Sequence, residues 1–96
     1  MRRIQRKRIR GWRMPENAVY VGRPSKWANP FKVGRDGTRE EVVEKYRKWL
    51  MNKLREDPHF LDPLKGRDLA CWCPPDKPCH ADVIIEVLEK GTNFGH

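Results

Sequence analysis

The chain has 96 residues, 38% of them hydrophobic and 35% charged, with a formal net charge of +8. That length holds one domain, residues 1–96, with one modest core, and excludes two. No run approaches the roughly 18 apolar residues of a membrane span, and no apolar stretch of signal-peptide type follows the basic N-terminus. A cytoplasmic protein with no membrane partner is therefore expected.

The charge is unevenly placed. Residues 1–13 hold Arg2, Arg3, Arg6, Lys7, Arg8, Arg10 and Arg13 and no acidic residue, and the rest of the chain is close to neutral. The pattern predicts a basic N-terminal arm or edge strand over residues 1–13 on a neutral body. Charged side chains on such an edge discourage edge-to-edge pairing. The cations alternate with Ile4, Gln5, Ile9 and Trp12. That suits nucleic acid: Arg3, Arg6, Arg8, Arg10 and Arg13 for phosphates, Trp12 for stacking on a base. A solubilising tail is the plainer reading of the same residues.

Gly11 to Asn17 reads as a loop broken by Pro15. Ala18-Val19-Tyr20-Val21 is a short β-rich run stopped by Gly22. Pro24 and Pro30 keep the next segment irregular. Phe31-Lys32-Val33 is a candidate second strand, closed by a turn at Arg35-Asp36-Gly37. Thr38 opens the clearest helix, about residues 38–56. Thr38 and Glu41 have capping-box spacing, and Val43, Tyr46, Leu50 and Leu54 recur on one face, widened by Val42 and Trp49. Pro58 ends it. His59 to Gly66 reads as a helical turn or loop. Asp68 to Cys73 is a good strand, stopped by Pro74-Pro75. A second main helix covers about residues 79–90, with Val83, Ile84, Val87 and Leu88 as its buried stripe and Gly91 as its stop. The fold class is α/β: one small domain, a short mixed or parallel sheet and two main helices.

Two segments carry candidate chemistry. The loop from Gly22 to Phe31 follows a strand, where α/β folds place ligand loops. Arg23 and Lys26 suit a phosphate, Asn29 a base edge, and Trp27 or Phe31 stacking. The spacing is not that of a P-loop. Against this, Trp27 and Phe31 also suit a core.

The second segment holds all three cysteines, Cys71, Cys73 and Cys79, with His80 beside the last. On a strand Cys71 and Cys73 share a face, and the short Pro-rich loop returns Cys79 and His80 toward them. Three sulfurs and an imidazole make a plausible tetrahedral zinc site, although C-x-C and an adjacent C-H are tight spacings. Two other readings stand beside it. The cysteines suit buried packing. Cys79 at a helix start also suits a reactive thiol, with His80 and Asp82 as partners in a nucleophilic site. Asp82 equally suits the plain role of an acid in a first turn.

Taken in order, Arg3-Ile4-Gln5-Arg6, Gly11-Trp12-Arg13-Met14-Pro15-Glu16-Asn17, Val21-Gly22-Arg23-Pro24 with Lys26 to Phe31, Leu69-Ala70-Cys71-Trp72-Cys73 and Cys79-His80-Ala81-Asp82-Val83 resemble a family of small phage and bacterial proteins known as a domain of unknown function. The resemblance runs from about residue 3 to 90; Ala28 stands where the family usually has Gly. It implies that the basic segment belongs to the domain, and that the polar loop and the Cys/His segment form one design. Its occurrence in phages implies a role in nucleic-acid metabolism, without a reaction. The expected function is nucleic-acid binding, with a nucleotide or base pocket formed by the 22–31 loop and the Cys/His segment. Arg3, Arg6, Arg8, Arg10, Trp12, Arg13, Arg23, Lys26 and Trp27 would contact the ligand. The alternative is a small nucleotide- or nucleic-acid-modifying enzyme using Asn29, Cys79, His80 or Asp82. If the strands at 19–21 and 69–73 run parallel and adjacent, the two segments meet at one edge of the sheet.

Overall fold

The computed structural model describes residues 1–90; the expected helix stop at Gly91 lies outside them. Its elements are β1 (Arg3–Gln5), β2 (Ala18–Tyr20), α1 (Arg39–Glu56), a short 3-10 helix (Asp62–Leu64), β3 (Asp68–Cys71) and α2 (His80–Lys90). The three strands form one sheet in the order β1-β3-β2, and both pairings are parallel. Leu69 of β3 faces Arg3 on one side and Val19 on the other.

The central strand is the apolar one. Leu69, Ala70 and Cys71 are buried, as a parallel strand covered on both sides requires. The edge strand β1 lies within the basic segment, but its three residues are half-buried and its one cation, Arg3, is turned inward, its side chain only 10% exposed. The ladder continues past the strand ends: Arg6 N–H donates to the Cys71 carbonyl at 2.7 Å, and Val21 N–H to that of Ala70 at 2.9 Å. At the other end Asp68 Oδ1 accepts the Arg2 N–H at 2.9 Å. Because all strands are parallel, residues 6–8, 21–23 and 72–73 leave the sheet at one carboxyl edge.

Helix α1 starts with the expected capping box. Thr38 Oγ1 accepts the Glu41 N–H at 3.2 Å, and Glu41 Oε1 accepts the Thr38 N–H at 2.9 Å. Val42, Tyr46 and Leu50 form its buried stripe, one residue off the predicted start at Val43, which is half-buried against the same core. Tyr46 and Leu50 of that stripe share the central cluster with Val83, Ile84 and Val87 of α2. Leu50 is fully enclosed, so truncation to Ala there costs about 2–5 kcal/mol. Arg47 of α1 also pairs with Glu86 of α2.

Phe31-Lys32-Val33 is not a strand. Local side chains take its donors. Asn29 Oδ1 accepts the Phe31 N–H at 2.9 Å, and Asp36 Oδ2 accepts the Lys32 N–H at 2.8 Å. These bonds curl the segment into turns and take two of its three backbone donors away from a ladder. Among the described residues no helix is long and apolar enough to cross a membrane.

Candidate functional site

A cleft of about 270 Å³ opens beside the carboxyl edge. From the loop side it is lined by Arg23, Asn29, Phe31, Lys32 and Val33; from α1 by Arg39, Val42 and Val43; and from the other side by Cys73, Cys79 and His80. The 22–31 loop and the Cys/His segment thus share one cleft. Its lining holds three fixed cations and no carboxylate.

The loop is pinned by its own polar groups. Tyr20 Oη donates to the Arg23 carbonyl at 2.7 Å, across a cis Arg23–Pro24 bond. Gly22 is needed beneath that hydroxyl: a Cβ there would lie 2.5 Å from Tyr20 Oη. Asn29 Nδ2 donates to the Val42 carbonyl at 3.0 Å while its Oδ1 holds Phe31. So Asn29 lines the cleft, but its amide ties loop to helix. Arg23 Nη2 donates to the Asn29 carbonyl at 3.1 Å, which directs the guanidinium along the loop.

Trp27 and Lys26 do not line the cleft. Trp27 Nε1 donates to the Phe60 carbonyl at 2.9 Å, and its own carbonyl accepts the Tyr46 hydroxyl at 2.7 Å. It packs against the core. Lys26 lies over the Trp27 and Phe60 rings.

His80 is buried on the opposite wall. Its Nε2 is 2.8 Å from the Val21 carbonyl, which can only accept, so Nε2 carries the proton. Burial pushes the imidazole below its usual range and keeps it neutral. Nδ1 is then a bare acceptor, 3.6 Å from Cys79 Sγ.

The three thiol sulfurs lie within 4.8 Å of one another, with Cys79 and Cys71 3.4 Å apart. The thiols do come together, but not by strand alternation: the expected strand to Cys73 ends at Cys71, Cys73 lies in the bend that follows it, and the turn at 74–77 returns Cys79. The Cys73 thiol is held far below its usual range by the Cys71 thiol, then by the Cys79 thiol, with the Arg39 guanidinium adding to both. Hydrogen bonding to the Cys71 thiol, then to the Cys73 thiol, together with burial, pushes the Cys79 thiol up. Arg39 Nη1 is 3.5 Å from the Cys73 sulfur. Three close thiols are a soft donor set that can hold a metal; on a tetrahedral zinc, sulfurs bound at about 2.3 Å stand roughly 3.8 Å apart. His80 stands beside this group and outside its mutual spacing.

Asp82 does not line the cleft. Its Oδ2 accepts the Cys79 N–H at 3.2 Å, capping α2, and receives Arg3 Nη1 at 3.0 Å. Arg3 is turned inward. Its guanidinium also donates to the carbonyls of Pro74, Pro75 and Lys77 at 3.0, 2.7 and 2.8 Å. The cation at the head of the basic segment therefore clamps the cysteine loop. Farther along, Arg6 stacks on the Tyr20 and Trp72 rings, and Arg8 on Trp72. Arg10 and Arg13 are exposed and Trp12 is half-buried.

Lys32 and Arg39 line the cleft although the sequence pattern did not single them out, while Tyr20 and Trp72 stand outside it. Arg39 had one usable signal: it follows the N-cap Thr38, and side chains in a first turn lean back beyond the helix start.

The chain is 34% identical over 76 residues to the "Uncharacterized 12.4 kDa protein in nrdA-td intergenic region" of Enterobacteria phage T4, covering 75% of this chain and 68% of that protein. It is 33% identical over 86 residues to "Uncharacterized protein R718" of Acanthamoeba polyphaga mimivirus, covering 82% of this chain and 58% of that one. No solved structure matches the chain significantly. A family model matches residues 4–90, a span that takes in the cleft, the thiol cluster and all of β1 but Arg3, and the chain belongs to that family, described as Domain of unknown function (DUF4326).

Proposed function

We propose that the protein binds nucleic acid at the carboxyl edge of its sheet and seats one phosphate-bearing nucleotide in the cleft. The observation that carries this reading is the lining: Arg23, Lys32 and Arg39 with no carboxylate, beside the aromatic Phe31. Fixed cations in a concavity focus an anionic ligand, and Phe31 offers a face to a base. The basic segment from Arg6 to Arg13 leaves β1 at the same edge, which suits the neighbouring backbone. Zinc on Cys71, Cys73 and Cys79, with His80 Nδ1 as the nearest fourth donor, is the cofactor proposed for the thiol group. Its role there is to brace the cleft wall.

The test is binding of a labelled oligonucleotide across a salt series. Four to six phosphate contacts give a log–log slope of about −3 to −5. Arg23→Ala and Lys32→Ala should each weaken binding and flatten that slope by nearly one contact. Binding that is absent at low salt, or independent of salt, overturns the proposal.

A second reading, a nucleotide-modifying enzyme, is favoured by the Cys73 thiol at the cleft wall beside Arg39. Asn29 and Asp82 are committed to the loop and to the helix cap, so Cys73 is the group that such chemistry would use. Chromatography of a bound nucleotide before and after incubation separates the two: unchanged nucleotide supports the binder.

A further inference from the structure

Four side chains at the carboxyl edge stack on one another outside the cleft. Arg6 Cζ lies 4.7 Å from the centre of the Tyr20 ring and 4.8 Å from that of Trp72, and Arg8 Cζ lies 4.8 Å from Trp72. The series alternates aromatic and guanidinium and ends on Arg8, which is exposed. Trp72 itself is 39% exposed, unusual for so large a ring. Among the described residues neither Arg6 nor Arg8 forms an ion pair with a carboxylate. Two like charges drawn to one ring without a counter-ion call for an anion from outside. The outer plane of Arg8 is also a surface on which a base stacks.

This stack borders the cleft. Trp72 is the chain neighbour of Cys73, which lines it, and consecutive Cα atoms are about 3.8 Å apart. One strand can therefore reach both. The cleft, at about 270 Å³, has room for a single nucleotide. A duplex keeps its nucleotides stacked and paired, and placing one in a concavity of this size requires flipping it out at the cost of its stacking and pairing. A single strand carries no such cost.

We propose that the ligand is single-stranded nucleic acid, with one nucleotide in the cleft and the adjacent one held by the Arg6–Trp72–Arg8 stack. The inference rests on the nucleic-acid reading above and adds strandedness and the path of the chain. Arg6 and Arg8 supply charge to the linking phosphate, and Arg8 supplies the next stacking plane.

The experiment compares three probes on the full chain: a labelled single strand of about 12 nucleotides, within the usual site-size range, the same sequence as a duplex, and a nucleoside 5′-monophosphate. The single strand should bind at least ~10-fold more tightly than the duplex. Arg8→Ala and Trp72→Ala should each weaken the single strand by about 10-fold, the loss of one stacked base, and leave the mononucleotide unchanged. Arg8 is exposed, so its variant stays informative if Trp72→Ala fails to fold. A duplex bound as tightly as the single strand overturns strandedness, and an Arg8→Ala variant with unchanged affinity overturns the path. Either result leaves the salt-dependent nucleic-acid reading standing. Mononucleotide binding without oligonucleotide binding removes that reading and this one together.

Discussion

Arg3 Nη1 lies 3.0 Å from Asp82 Oδ2, so the first strand is joined to the first turn of the last helix, 79 positions away in sequence. The same oxygen caps the Cys79 N–H; Arg3 Nη1 also donates to the Lys77 carbonyl, and Nη2 to those of Pro74 and Pro75. One side chain thereby sets where the cysteine loop turns and where α2 begins.

Replacing Arg3 tests that clamp. Its side chain is 10% exposed, and Arg3→Ala leaves several acceptors short of a charged donor. A loss of about 2–3 kcal/mol is expected in urea unfolding, on the scale of hydrogen bonds to charged groups. Arg3→Lys should recover less than half, because one ammonium cannot span four acceptors. For the same reason, removal of residues 1–10 does not leave the body intact, as a free arm would: it takes β1 and the clamp with it. A truncated chain that melts like the full one would contradict this.

Gly22→Ala places a Cβ against the Tyr20 ring and hydroxyl. The loop must shift or Tyr20 must move off the Arg23 carbonyl. A destabilisation of about 1–3 kcal/mol is expected, the usual cost of overpacking, together with weaker ligand binding in the cleft. Thermal melts and the mononucleotide titration read the two effects separately. An unchanged melt and unchanged affinity would show that the loop is not held by this approach.

Protein purified without chelator should carry about one zinc per chain. Removing it should lower the melting temperature strongly, since metal-binding free energy becomes folding free energy. Cys73→Ser should reduce the metal content. Metal-free protein that melts identically with and without chelator leaves the three thiols as packing groups or as a reactive set.

Asp68 ties β3 to β1. The Arg2 N–H holds its carboxyl below the usual carboxylate range, with the Arg2 guanidinium adding a smaller pull. A folded value below the unfolded one, about 3.9, means stability that is present above that pH and lost as pH falls through the folded value. Asp68→Asn keeps an acceptor for the N–H and removes the charge. Its melting temperature should fall less steeply below about pH 4 than that of the parent. Identical acid limbs would show that Asp68 contributes nothing to the acid sensitivity.

Much of the architecture is local, and local chemistry is written in the chain. Thr38 and Glu41 close their box wherever the helix goes, and the spacing of Tyr46 and Leu50 selects the buried face. The close spacing of Cys71, Cys73 and Cys79 already keeps the thiols near one another, although β3 ends at Cys71 and a bend, not strand alternation, places Cys73. What neighbours decide could not be read in this way. Phe31 to Val33 has strand composition, yet Asn29 and Asp36 take two of its donors first. Asn29, Asp82 and Trp27 are residue types that suit a ligand, and partners distant in sequence occupy each: the Val42 carbonyl, the Arg3 guanidinium and the Phe60 carbonyl. Arg3 is one of seven similar cations in its segment, and only the parallel pairing of β1 with β3 turns it onto the cysteine loop. Composition placed the charge at the N-terminus. The sheet order placed its end beside the cleft, because parallel strands deliver all their carboxyl ends to one edge.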